Sequence, residues 1–233
     1  MITEVKICGI TSLEDAETAM LAGADAIGFI FYPGSPRWIS PERAREISGK
    51  LPARVCRVGV FVDHDAEGVR RIAEFCGLDF IQLHGDESPD YCSSFSPSVL
   101  IKAVSIQKEE DLALLKDYPV RAILADAHDP VRRGGIGKTC DWNLARKAGE
   151  NHRLILSGGL NPQNILSAIE AVRPLAVDIG SGVESQPGKK DPGTIKELMA
   201  AVRSFKDTRR PSSGNNIFQK ISEVGRPINI EEG

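Results

Sequence analysis

Leu154-Ile155-Leu156-Ser157-Gly158-Gly159-Leu160, a helix-like stretch from Pro162 to Val172, and Ala176-Val177-Asp178-Ile179-Gly180-Ser181-Gly182-Val183-Glu184 form the segment on which the fold turns. Two apolar runs of strand length flank a helix-length connection. Such a crossover joins parallel strands. Each run is closed by glycines, which let backbone approach an anion closely, so that consecutive N–H groups donate to its oxygens without a charged side chain. The last two strands of a (β/α)8 barrel commonly carry such loops at their C-terminal ends, often with the N-terminus of a short extra helix. The pairing predicts a barrel that takes a small phosphorylated ligand, with Gly158, Gly159, Ser181 and Gly182 as phosphate-binding candidates.

Working outward, strand-like runs recur at Val5 to Ile10, Ala26 to Tyr32, Val58 to Val62, Phe80 to His84, Leu100 to Val104 and Ala122 to Asp126, which with the two above makes eight. Helix-like stretches lie between most of them, at Ser12 to Leu21, Ser40 to Leu51, Asp65 to Phe75, Glu109 to Tyr118 and Asp191 to Phe205, with Ser88 to Phe95 the weakest. Ser12, Ser40 before Pro41, and Asn161 before Pro162 stand where N-caps belong. Eight units suit closure into a TIM barrel over residues 1–205 better than an open sheet. From Lys206 the chain turns polar, and 206–233 is expected to be a flexible tail. Within it Ile217, Phe218, Ile221 and Val224 fall on one face of a short helix, docked or loose, with the loose alternative favoured.

The composition agrees with one globular domain: 233 residues, 41% hydrophobic. A net charge of -3 from 29 basic and 32 acidic residues, without single-sign blocks, argues against nucleic-acid or membrane partners. The start lacks a secretory signal, and no run has transmembrane length. Five scattered cysteines without a C-x-x-C pair argue against a disulfide framework or zinc site and for a reducing cytoplasm. Neither metal nor cofactor is expected.

Side-chain alternation puts Lys6 and Cys8 on one face of the first strand and Val5 and Ile7 on the other, toward the helices. Cys8 then lies near the C-terminal mouth, where barrel enzymes place catalytic groups, as a candidate base or nucleophile; the alternative is a small buried hydrophobe. Lys6 sits deeper, at the limit of influence on the thiol. Asp126 and Asp178 end the sixth and eighth strands, and Gln82 and His84 share the inward face of the fourth with Phe80. The 32–37 loop offers Arg37, whose guanidinium suits a substrate carboxylate. A second loop, 129–139, carries Gly134, Gly135 and Gly137 and could close over a ligand.

Lys6-Ile7-Cys8-Gly9-Ile10-Thr11, Ser35-Pro36-Arg37, Gln82-Leu83-His84-Gly85, Asp126 with its glycine loop, and the two glycine segments together resemble phosphoribosylanthranilate isomerase over nearly the whole barrel. The resemblance implies a tryptophan-biosynthesis enzyme that converts N-(5'-phosphoribosyl)anthranilate to 1-(2-carboxyphenylamino)-1-deoxyribulose 5-phosphate by an Amadori rearrangement. It further implies Cys8 as general base, Asp126 as general acid, Arg37 toward the anthranilate carboxylate, the glycine segments on phosphate and Asp178 toward the substrate nitrogen or sugar hydroxyls. The chain departs from the family pattern at Gly180, where serine is common, and at Ile136, where threonine is common. Competing possibilities are a histidine-pathway aminoaldose isomerase or dual-substrate barrel, whose first-strand base is usually aspartate rather than cysteine, and a catalytically silent phosphosugar-binding barrel. Monomer and homodimer both stay open.

Overall fold

The computed structural model describes residues 3–126, 140–205 and 216–219. Eight parallel strands pair in sequence order and close on themselves: β1 (Glu4–Cys8), β2 (Ala26–Ile30), β3 (Cys56–Phe61), β4 (Phe80–Leu83), β5 (Leu100–Ser105), β6 (Ala122–Asp126), β7 (Leu154–Leu156) and β8 (Ala176–Ile179). Closure sets Lys6 opposite Asp178 and Val5 opposite Val177. All strand C-termini therefore meet at one pole, the mouth, and all N-termini at the other, the floor.

Around the barrel run α1 (Leu13–Ala22), α2 (Pro41–Ser48), α3 (Ala66–Cys76), the single-turn α4 (Pro89–Cys92), α5 (Glu109–Leu114), α6 (Trp142–Asn151), α7 (Ile165–Val172) and α8 (Pro192–Ser204). Caps explain several starts: Ser12, Ser40, Asp65 and Asp191 each accept the N–H three residues on, at 3.1, 3.3, 2.7 and 2.7 Å. One expectation is corrected. Regular helix α7 starts at Ile165 rather than at Pro162, after a turn that Asn161 caps as expected: its Oδ1 accepts from Gln163 N and Asn164 N, and its carbonyl from Ile165 N. An antiparallel ribbon unforeseen from the sequence, β9 (Glu184–Gln186) with β10 (Lys189–Lys190), follows β8.

Alternation divides the core in two. Val5, Ile7, Ile123, Ala125, Val177 and Ile179 pack outward under the helices, while Ala26, Val58, Phe80, Ile101, Leu124, Ile155 and Ala176 fill the interior. Ile217 and Phe218 join that interior cluster from the floor. Asn216–Gln219 thus departs from the expected flexible tail: Ile217 N and Phe218 N donate to the Glu4 carboxylate at 2.5 and 3.2 Å. Arg121 Nε reaches Ile217 O at 2.8 Å, Arg153 Nη2 reaches Asn216 O at 2.6 Å, and the Phe218 ring meets Phe80 edge-on at 6.1 Å. Ile221, Val224 and the rest of 206–233 lie outside the described residues, as does the 129–139 loop with Ile136. Among the described residues no helix is long and apolar enough to cross a membrane.

Candidate active site

Cys8 is the last residue of β1, pointing inward at the mouth, and is 7% exposed. Its neighbour in register, Gly28, has no side chain to compete for that space; a Cβ there would lie 2.8 Å from Cys8 Sγ and 3.0 Å from Lys6 Nζ. Lys6 is therefore beside the thiol, closer than the strand spacing alone suggested. Its Nζ also pairs with Asp178 Oδ1 at 2.9 Å, with both side chains buried. Burial pushes the Cys8 thiol above its ordinary value, and the Lys6 ammonium, with a smaller pull from Lys190, opposes the rise. Burial likewise pulls on the Lys6 ammonium, yet Asp178 and Cys8 outweigh it and hold that group above the usual lysine value.

Asp126 ends β6 and points inward at the same pole, 8% exposed, with β7 and β8 between its strand and that of Cys8. His84, just past the end of β4, places Nε2 3.1 Å from Asp126 Oδ2, and Gln82 Nε2 lies 2.9 Å from His84 Nδ1. The inward polar face expected on β4 is thus linked to the acid. The turn after His84 is braced from behind, where Lys102 Nζ meets Glu87 Oε2 at 3.0 Å and Gly85 O at 2.8 Å.

Arg37 lies across the mouth, with Nε and Nη2 on the two oxygens of Glu184 at 2.8 and 2.7 Å. Glu184 Oε1 also accepts from the buried Lys190 Nζ at 2.9 Å, and that amine reaches Gly180 O at 3.0 Å. Burial alone would raise the Glu184 pKa; Arg37 and Lys190 outweigh it and hold the carboxyl below its ordinary value. Burial lowers the Lys190 ammonium. Glu184 and Lys190 are the site residues that the sequence pattern did not single out. The available signal was Pro187-Gly188, a turn pair that folds the two charges together.

The two glycine segments converge. Gly158 and Gly159 adopt φ of 89° and 63°, open to glycine at little strain, and Gly159 O accepts from Asn164 Nδ2 at 2.9 Å, which pins the turn. Ser181–Val183 forms a short 3-10 helix after β8. Gly182 packs so tightly on the first segment that a Cβ would come within 1.8 Å of Leu160 O. Gly158, Gly159, Ser181, Gly182, Cys8, Asp126, Asp178 and Arg37 are thus gathered at one pole.

Residues 5–201 match the family described as N-(5'phosphoribosyl)anthranilate (PRA) isomerase. The chain is 52% identical over 228 residues to the N-(5'-phosphoribosyl)anthranilate isomerase of Syntrophus aciditrophicus, covering 95% of this chain and 99% of that protein. The crystal structure of phosphoribosyl anthranilate isomerase from Thermotoga maritima superposes with a TM-score of 0.81 at 47% identity, covering 88% of this chain and all (100%) of that one. A phosphoribosyl anthranilate isomerase crystallised in complex with reduced 1-(o-carboxyphenylamino)-1-deoxyribulose 5-phosphate matches with a TM-score of 0.77 at 44% identity, over 88% of this chain and 100% of that one. With its closed eight-stranded barrel and a match running from the first strand into the last helix, this chain belongs to the N-(5'-phosphoribosyl)anthranilate isomerase family.

Proposed function

We propose that the chain converts N-(5'-phosphoribosyl)anthranilate to 1-(2-carboxyphenylamino)-1-deoxyribulose 5-phosphate, and that Cys8 and Asp126 carry the proton transfers. The observation supporting these roles is the placement of an inward thiol and an inward carboxylate at the ends of β1 and β6, across one mouth. Asp126 gives a proton to the ribose ring oxygen. The C1–O bond breaks toward that oxygen, and the anilino nitrogen lone pair forms an iminium at C1. Cys8, in the thiolate form that burial disfavours and the adjacent Lys6 ammonium favours, removes the C2 proton, so the C–H pair becomes the C1–C2 double bond of an enolamine, which tautomerises to the ketone. General acid and base groups each contribute about 10²- to 10⁴-fold.

The sugar is held between two anchors, which lowers the entropic part of the barrier. At one end the N–H groups of Gly158, Gly159, Ser181 and Gly182 take the phosphate; Gly180 supplies no hydroxyl there. At the other end Arg37 presents Nη1, the edge not engaged by Glu184, to the anthranilate carboxylate. Asp178, tied to Lys6 through Oδ1, keeps its second oxygen for the substrate nitrogen or a sugar hydroxyl. The cysteine usage supports the cytoplasm as the place of work.

The test is a fluorescence assay following loss of freshly generated phosphoribosylanthranilate, with the histidine-pathway aminoaldose substrate alongside. Rapid loss of the first is expected. Turnover of only the second would overturn the proposal.

A further inference from the structure

Gln82 is fully buried inside a barrel whose interior is otherwise largely apolar, and its Oε1 accepts no hydrogen bond among the described residues. A buried amide with an orphaned oxygen lowers stability relative to a methionine of similar size, so packing gives no reason for it. Its hydrogen-bonding partner is the imidazole of His84, 2.9 Å away, and that imidazole in turn reaches Asp126 at 3.1 Å. We propose that Gln82 is a positioning residue for the isomerisation: its amide N–H selects the His84 tautomer that donates from Nε2 to Asp126. The proposal rests on Asp126 acting as the general acid.

The chemistry of the three groups carries the argument. With the amide nitrogen facing the imidazole, His84 Nδ1 offers it a lone pair; turning the amide over would satisfy Oε1 but strand a nitrogen with two hydrogens to donate, so the placement with the orphaned oxygen costs less. A neutral imidazole with a bare Nδ1 carries its hydrogen on Nε2, which points at Asp126 Oδ2. The proton that Asp126 delivers is then carried on its other oxygen, and the N–H left on Oδ2 stabilises the carboxylate formed as that proton departs. The opposite tautomer would turn a lone pair toward the acid. Because a free imidazole is a stronger base than a free carboxylate by roughly two to three powers of ten, it would draw the proton away from the ring oxygen.

The experiment pairs nitrogen-15 NMR of the His84 ring with kinetics. In the wild-type protein the bare nitrogen of the neutral ring is expected to be Nδ1. Gln82→Met should mix the tautomers and lower kcat about 10- to 100-fold, the scale on which loss of an imidazole's outer partner acts at metal sites. KM should stay within about twofold, which a general loosening of the barrel would not produce. Gln82→Glu, whose carboxylate calls for a hydrogen on Nδ1, should convert His84 to the imidazolium and also slow turnover. A wild-type His84 protonated on Nδ1 alone, or a Gln82→Met variant with wild-type kcat and an unchanged tautomer, would overturn the proposal. If Gln82→Met does not fold, the wild-type tautomer and Gln82→Glu decide it. Failure of Asp126 as the acid reads out separately: Asp126→Asn would then keep turning over substrate while the ring nitrogens still report the tautomer.

Discussion

Phe218→Ala should loosen the floor of the barrel without touching the chemistry at the mouth. The ring is 6% exposed and Ile217 beside it is 0% exposed, which is worth about 3–6 kcal/mol for the two side chains. Hydrogen bonds donated by the segment's N–H groups to Glu4, and accepted by its carbonyls from Arg121 and Arg153, add ~3–5 kcal/mol, against ~4–8 kcal/mol for ordering its backbone. At the midpoints of these ranges docking is favourable by about 2–3 kcal/mol, and that net value, rather than the ring's own burial, sets the loss: once the ring is gone the segment lifts off, and nothing further is forfeited. A phenylalanine sealed in a closed core would give ~3–5 kcal/mol instead. For a chain of this length about 2–3 kcal/mol lowers Tm by roughly 5–10 °C. The assay is thermal unfolding followed by calorimetry, with kcat/KM at 25 °C as control. A chain ending at residue 215 should match Phe218→Ala, because both release the same segment. An unchanged Tm in both variants would refute the seating of Asn216–Gln219, and a loss far above that net value would refute the lift-off argument.

Glu4→Gln should flatten the pH dependence of stability. Burial pushes the Glu4 carboxyl from 4.5 up to about 7 despite two backbone N–H donors, so the folded state prefers it protonated. Its contribution is full below pH 4.5, is lost as pH rises through about 7, and amounts to about 3 kcal/mol, a factor of ten in proton affinity being ~1.4 kcal/mol. Urea melts from pH 4.5 to 8.5 check this, and an identical slope in both proteins counts against it. Cys8→Ala and Asp126→Asn should each lower kcat by about 10²- to 10⁴-fold with unchanged circular dichroism; near-normal turnover in either removes that residue's role. Arg37→Ala should raise KM about 10- to 100-fold, the scale of a lost charged hydrogen bond, and an unaltered KM would withdraw the carboxylate contact. Gly182→Ala, whose methyl meets Leu160 O at 1.8 Å, should force the glycine segments apart and weaken inhibition by inorganic phosphate. Unchanged phosphate inhibition would place that anion elsewhere.

The βα rhythm was legible because it is local. Leu154–Leu156 and Ala176–Ile179 declare themselves by apolar runs ended with glycine, and alternation along five residues of β1 suffices to turn Cys8 inward. Caps were legible for the same reason at Ser12, Ser40 and Asn161, although after Asn161 a turn intervenes before the regular helix begins at Ile165. Apart from the Glu184–Lys190 pair within the ribbon, the contacts missed are distant in sequence. Lys6 meets Asp178 only because the first strand closes against the last, and Arg37 meets Glu184 only because the ribbon after β8 folds back across the mouth.

The docked segment draws the boundary most sharply. Polar composition sets in at Lys206, just past the last residue of α8, Ser204, and the family match ends at residue 201. Whether Ile217 and Phe218 then find a partner depends on a hydrophobic opening ringed by Glu4, Arg121 and Arg153, residues from three different strand starts that no window of sequence brings together. Sequence alone determined the barrel's strands and helices, their order and the side the strand residues face, since these follow from backbone periodicity over a few residues. Closure of the barrel decided which charges meet, how deeply the thiol is buried and what fills the floor, because burial and pairing are properties of surfaces that exist only after the strands have joined.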